Sequence, residues 1–244
     1  MAFTSWRGTI GCIKPTLRPG SLEELVRILP DGIGVIPLFL DIKKGSQDEM
    51  DRAVDGYEPL IARLAEAGVD LIHPEGAPPF MLLGHRKEAE LVAGWEKTYG
   101  TQIFTSGTNH IRALKALGIR RFVGASYFGP RMNEVFATYF RDAGFDVLAM
   151  EGIDTAFGNV GALSPESVYT HIKRSFLPHR DKAEAIYLLG SGWRVLTIID
   201  LLEQDLGVPV IHPVPARCWE IQLRLAIRQP VQGCGQLLAE MPAG

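Results

Sequence analysis

The sequence is poor in cysteine, in charge imbalance and in long apolar runs. Cysteine occurs three times in 244 residues, at Cys12, Cys218 and Cys234. That odd number at wide spacing suits a reducing compartment, and no Cys/His spacing matches a zinc site. Lysine and arginine total 25 against 28 acidic residues, a net charge of −3. Without basic runs there is no electrostatic footprint for nucleic acid. No apolar stretch approaches the length of a membrane span, and the opening "MAFTSWRGTIGCIKP" lacks the basic-then-apolar pattern of a leader. The expectation is a cytoplasmic protein with neither nucleic acid nor membrane as partner, and with self-association left open. What is present is 46% hydrophobic residues, enough for one large domain or two small ones with real cores.

Short apolar runs alternate with longer amphipathic segments, the pattern of a parallel sheet covered by helices. The expected strands are "TIGCI", "IGVIPLFL", "VDLIH", "TQIFTS", "RFVGASY", "DVLAM", "AIYLLG" and "VPVIHP". In "QDEMDRAVDGYEPLIARLAEAG", Met50, Val54, Tyr57, Ile61 and Leu64 recur at helical intervals. Gly68, Gly118, Gly144 and Gly207 stand where helices end. "TIGCIKP" and "RFVGASYFGP" share one design, as do "AEAGVDLIHPEGAPP" and "KAEAIYLLGSGW". The reading is an α/β fold of two similar halves with parallel sheets, 1–115 plus 217–244 and 116–216. Four loops at the carboxyl ends of strands would face a cleft between them, where open parallel sheets bind ligands.

Each loop carries candidate chemistry and a plainer alternative. In "KPTLRPG", Lys14, Thr16 and Arg18 could hold a carboxylate, or decorate a proline-stiffened turn. In "HPEGAPP", His73 and Glu75 could form an acid–base pair, with Gly76 allowing close backbone approach. Alternation from Val69 also points His73 into packing. In "GASYFGPRMNE", Tyr127 and Asn133 are neutral donors for a carboxylate or an oxyanion, or a packed aromatic and a helix-start amide. In "LLGSGWRVL", Ser191 and the backbone of Gly190 and Gly192 could bind an anion, or Ser191 could cap a helix. The flanking glycines do not have the spacing of a hydrolase elbow. His212 closes the last strand. Cys218 and Cys12 read as core.

Taken together, "TIGCIKP", "AEAGVDLI", "IRALKALGIRRFVGASYF", "MNEVFATYF", "LLGSGWRVLTIIDLLEQDLGVPVI" and "PARCWE" resemble the aspartate/glutamate racemase superfamily, in its maleate isomerase and arylmalonate decarboxylase branch. The resemblance implies two pseudo-symmetric α/β halves, a flavodoxin-like architecture, a cleft between them, no metal, no organic cofactor and a small carboxylic acid as substrate. It also implies that Pro15, Tyr127 and Asn133 line the site or bind carboxylate. Family members use one cysteine per half, or the second alone in decarboxylases. Here the first position falls at Gly76, with Ala77 and Pro78 in place of hydroxyl residues. The second falls at Gly190, or at Ser191 if the loop slips by one.

Thiol pairs suit two-base proton transfer because their pKa is near neutral, and a serine hydroxyl is a poor substitute without an adjacent base. The expected function is therefore a cofactor-independent decarboxylase or isomerase-like enzyme with non-cysteine groups. His73, Glu75, Tyr127 and Ser191 would be catalytic, and Pro15, Thr16, Gly76, Ala77, Asn133, Gly190, Gly192 and His212 would bind substrate. The alternatives are a non-catalytic carboxylate-binding protein and, third, a metal site from His73, Glu75 and His212.

Overall fold

The computed structural model describes residues 4–43 and 47–244. Met1–Phe3, which begin the stretch read as lacking a leader pattern, lie outside the described residues. The elements run β1 (Gly8–Lys14), α1 (Ser21–Ile28), β2 (Ile33–Phe39), α2 (Gln47–Glu66), β3 (Leu71–Pro74), α3 (Ala77–Leu83), α4 (His85–Tyr99), β4 (Gln102–Ile103) and α5 (Ser106–Ala116). The second series is β5 (Arg121–Ser126), α6 (Pro130–Asp142), β6 (Asp146–Gly152), α7 (Pro165–Phe176), β7 (Ala185–Leu188), α8 (Ile199–Leu206) and β8 (Val210–Ile211), followed by α9 (Pro213–Arg224) and α10 (Gln236–Glu240).

The strands form two parallel sheets of identical topology, β2-β1-β3-β4 and β6-β5-β7-β8. Chain direction across each sheet reverses beside β1 and β5, so the loops after β1, β3, β5 and β7 flank the two switch points. All eight expected strands are present. β4 and β8 are cut to two residues. The backbone leaves β4 to begin α5 at Ser106, and Pro209, which has no N–H to give a ladder, precedes β8.

The helical stripe of α2 buries Met50, Tyr57, Ile61 and Leu64 as expected, with Ala53 in place of the half-buried Val54. Gly11 on β1 lets α2 lie close, since a Cβ there would stand 2.7 Å from Leu64. One hydrophobic cluster covers the outer face of the first sheet, from Ile13 to Trp95. A larger one runs without a break from Ile10 and Leu25 through Phe122 and Tyr187 to Trp219. α9 packs on α1 and α5, returning the carboxyl-terminal segment to the first sheet.

Candidate active site

Residues of all four loops, together with α5 and α9, enclose about 70 Å³ of free volume. A single water needs about 10–15 Å³ by the same measure, so the cavity has room for a small organic molecule.

Loop one follows directly from β1. Lys14 is 4% exposed although charged, and its Nζ donates to the Arg18 carbonyl at 2.6 Å. The Arg18 guanidinium lies 4.0 Å from the centre of the Phe157 ring, a cation–π contact, and donates to the Phe157 carbonyl. Pro15 and Thr16 complete this wall.

Loop two holds the central charge. The Glu75 backbone N–H donates to Ile13 O at 2.8 Å, and Tyr57 donates its hydroxyl to the Glu75 carbonyl. The carboxylate is buried against Arg217 of α9, whose Nη1 donates to Oε2 at 3.1 Å and whose Nη2 lies 3.0 Å from Oε1. Ser191, from the other half, donates to Oε1 at 2.7 Å. Burial alone would raise the pKa of Glu75, but the guanidinium and the two hydrogen bonds outweigh it and hold the carboxyl at about 2. Gly76 has φ +119, and a Cβ there would stand 2.9 Å from the Tyr57 hydroxyl and 3.3 Å from Pro15.

Loops three and four interlock. Gly192 N–H donates to the Tyr127 hydroxyl at 3.2 Å, and the Tyr127 ring meets Trp193 edge-on, centroids 5.4 Å apart. Gly190 has φ +102, and a Cβ on it would come within 2.4 Å of the Tyr127 ring. The ring can lie there because that residue has no side chain. Burial pushes the Tyr127 phenol up to about 12.

Pro15, Thr16, Glu75, Gly76, Ala77, Tyr127, Gly190, Ser191 and Gly192 all line the cavity. Three expected residues do not. His73 lies behind the wall, stacked on Phe104 at 4.3 Å. Its Nδ1 bonds the Phe104 carbonyl at 2.8 Å, which accepts only, so that nitrogen carries the proton. Burial, and then Arg217, lower its pKa to about 3. His73 is thus neutral while Glu75 is ionised, and the two form no acid–base pair. Its Nε2 faces Ser106 Oγ at 3.5 Å. Asn133 accepts from Ser126 Oγ at 2.6 Å and donates to the Phe128 carbonyl at 2.9 Å; it braces loop three rather than reaching ligand space. His212 caps α9, its Nδ1 accepting from Val214 N–H at 3.3 Å. Ser191 caps no helix, since α8 begins only at Ile199. Among the described residues no three metal-ligating side chains converge, so His73, Glu75 and His212 make no such set.

The sequence reading missed Arg217, Ser106 and His110, all on the cavity wall. Arg217 had a signal: it is the one charge in "HPVPARC", just past the carboxyl end of a strand. No cysteine lines the cavity. Cys12, Cys218 and Cys234 are all buried, and burial raises the Cys12 and Cys218 thiols to about 12.

Known proteins share this fold. Maleate isomerase Iso from Pseudomonas putida superposes with a TM-score of 0.87 at 22% identity, over 96% of this chain and 99% of that one. A structure of unliganded arylmalonate decarboxylase gives 0.81 at 22% identity, over 96% and 99%. The arylmalonate decarboxylase of Bordetella bronchiseptica is 24% identical over 223 residues, 89% of this chain and 90% of that one. The sequence profile of the arylmalonate decarboxylase family matches residues 19–238, and the chain belongs to that family.

Proposed function

We propose that this chain is a cofactor-independent enzyme acting on a small carboxylic acid, by decarboxylation or an isomerase-like reaction, with proton-transfer groups other than cysteine. The observation that carries this reading is the charge of the cavity wall. In a chain of net charge −3, the described lining holds Lys14, Arg18 and Arg217 against the single carboxylate of Glu75. Glu75 neutralises Arg217, which leaves Lys14 and Arg18 as the excess positive charge on the loop-one side. A substrate carboxylate belongs there, where low dielectric strengthens its attraction to both cations.

Decarboxylation breaks the bond between the α-carbon and the departing carboxylate, and the electron pair enters an enediolate that the cationic wall stabilises. Tyr127 is the proton donor in this scheme. Its oxygen accepts from Gly192 N–H and its own proton remains available, whereas the Ser191 proton is engaged by Glu75. A phenol near pKa 12 is a far stronger acid than the carbon it protonates, and water restores the phenol. Glu75, ionised, serves as a fixed charge that orients Ser191 and Arg217. The two halves, 1–115 with 217–244 and 116–216, would contribute opposite walls.

One observation favours a second reading, a carboxylate-binding protein without turnover: Ala77, Pro78 and Pro79 give loop two neither hydroxyls nor, at the prolines, N–H donors. Phenylmalonate, methylmalonate and maleate separate the two, with evolved CO₂ and fumarate measured alongside calorimetric binding. Turnover that Tyr127→Phe lowers by about 10²-fold or more, with carboxylate binding kept, supports the enzyme. Binding without turnover supports the second reading, and neither binding nor turnover refutes both.

A further inference from the structure

The prolines of loop two leave a deficit of donors on the first-half side of the cavity, and α5 lies on that side. Ser106 and His110, one turn apart on α5, both reach the wall. The Ser106 hydroxyl is already committed, accepting from Gly76 N–H at 3.3 Å and facing His73 Nε2. His110 is not. It is 1% exposed, its Nδ1 lies 2.8 Å from the Tyr187 hydroxyl, and its Nε2 is buried with no hydrogen-bond partner.

The partner on Nδ1 decides what Nε2 can do. Tyr187 is fully buried on β7, and burial raises its pKa well above the usual phenol value, so it keeps its proton. Among the described residues its hydroxyl has no partner besides His110, and a buried hydroxyl that did not donate there would leave its proton unsatisfied. Tyr187 therefore donates to Nδ1, and the imidazole proton resides on Nε2. The groups that act on the ring are His73 from β3, Arg217 and His212 at α9, and Tyr187. Burial, with His73, Arg217 and His212, keeps the pKa of His110 well below the ordinary value, so the ring is neutral. None of these neighbours is hydrogen-bonded to Nε2. Arg217 Nε, a second buried donor on the same wall, is likewise unpartnered.

We propose that His110 is the oxyanion donor of this cavity, its neutral Nε2–H binding an oxygen of the substrate carboxylate and of the enediolate formed from it. The role rests on the carboxylate reading above and supplies what Ala77, Pro78 and Pro79 do not. A neutral imidazole suits it because it donates a hydrogen bond without surrendering a proton.

Two measurements on the intact chain test this. Long-range proton–nitrogen spectra of histidine-labelled protein, with the His110 signals assigned by their loss in His110→Gln, are expected to show the Nε2–H tautomer. Calorimetry with malonate and phenylmalonate is expected to show at least about a tenfold loss of affinity in His110→Phe. His110→Gln, whose amide nitrogen replaces Nε2, should stay within about threefold of wild type on the same scale. An Nδ1–H tautomer, or wild-type affinity in His110→Phe, overturns the proposal with the carboxylate reading intact. A wild-type protein that binds neither acid overturns both. If His110→Phe fails to fold, the tautomer and His110→Gln decide: loss of binding in the latter despite the retained donor also counts against it.

Discussion

Breaking the Glu75–Arg217 pair should have consequences that depend on which partner is removed. Both side chains are almost wholly buried, at 4% and 1% exposure. The carboxyl is held at about 2 against an ordinary 4.5, a difference that corresponds to about 3 kcal/mol of stability. Because the folded-state pKa is depressed, this contribution is complete above pH 4.5 and disappears as the pH falls toward 2. Glu75→Gln leaves a guanidinium that cannot lose its proton buried beside a neutral amide, and should cost about 3–5 kcal/mol at pH 7. Arg217→Met leaves a carboxylate that can escape its penalty by taking up a proton, since burial without the guanidinium raises its pKa. Urea unfolding of the three proteins between pH 7 and pH 3 measures both effects. The deficit of Glu75→Gln should stay constant down to pH 4.5 and shrink below it, whereas that of Arg217→Met should already shrink between pH 7 and 5. A Glu75→Gln deficit under about 1 kcal/mol, or two deficits that shrink over the same pH range, would refute the argument.

Other outcomes follow from the same walls. Gly190→Ala places a Cβ against the Tyr127 ring at a positive φ and should lower stability by about 1–3 kcal/mol; an unchanged unfolding midpoint would mean that the ring moves freely. Ser191→Cys, a near-isosteric change at a half-buried position on the cavity wall, should fold and become the one thiol that iodoacetamide labels in the native protein, the native three being buried. Its reaction should slow relative to a free thiol because Glu75 opposes thiolate formation, and mass spectrometry over time reads this directly. Lys14→Met should weaken malonate binding by about tenfold and flatten its dependence on salt, an outcome that equal affinity at low ionic strength would exclude.

The α/β fold, the strands and the four loops were legible because parallel strands buried on both faces leave apolar runs, and helices leave a 3.6-residue period. Strand length was less legible: the apolar content of "TQIFTS" and "VPVIHP" persists beyond the pairing, because Phe104, Thr105 and His212 stay buried in turns and caps rather than in ladders. Loop position revealed Glu75, Tyr127 and Ser191. It could not tell His73 from Glu75, since His73 lies near the end of β3 and Glu75 is the first residue past it, and only the fold decides which of them reaches the cavity. Arg217 and His110 sit on helices far along the chain from the loops they meet. Their role depends on α9 and α5 packing together, and a side chain's neighbours across the fold leave no local period to read.

The duplicated topology brings together two walls that match in backbone but not in chemistry. The first half presents Gly76, Ser106 and His110, and the second presents Tyr127 and Ser191. Under the proposed decarboxylation, a flat enediolate lying between them would meet hydrogen-bond donors on one wall and the acid Tyr127 on the other. With Tyr127 as the acid, hydrogen would reach a prochiral carbon from the second-half side alone. The product would then form with a single handedness, and moving the acid from the second wall to the first would give the mirror image.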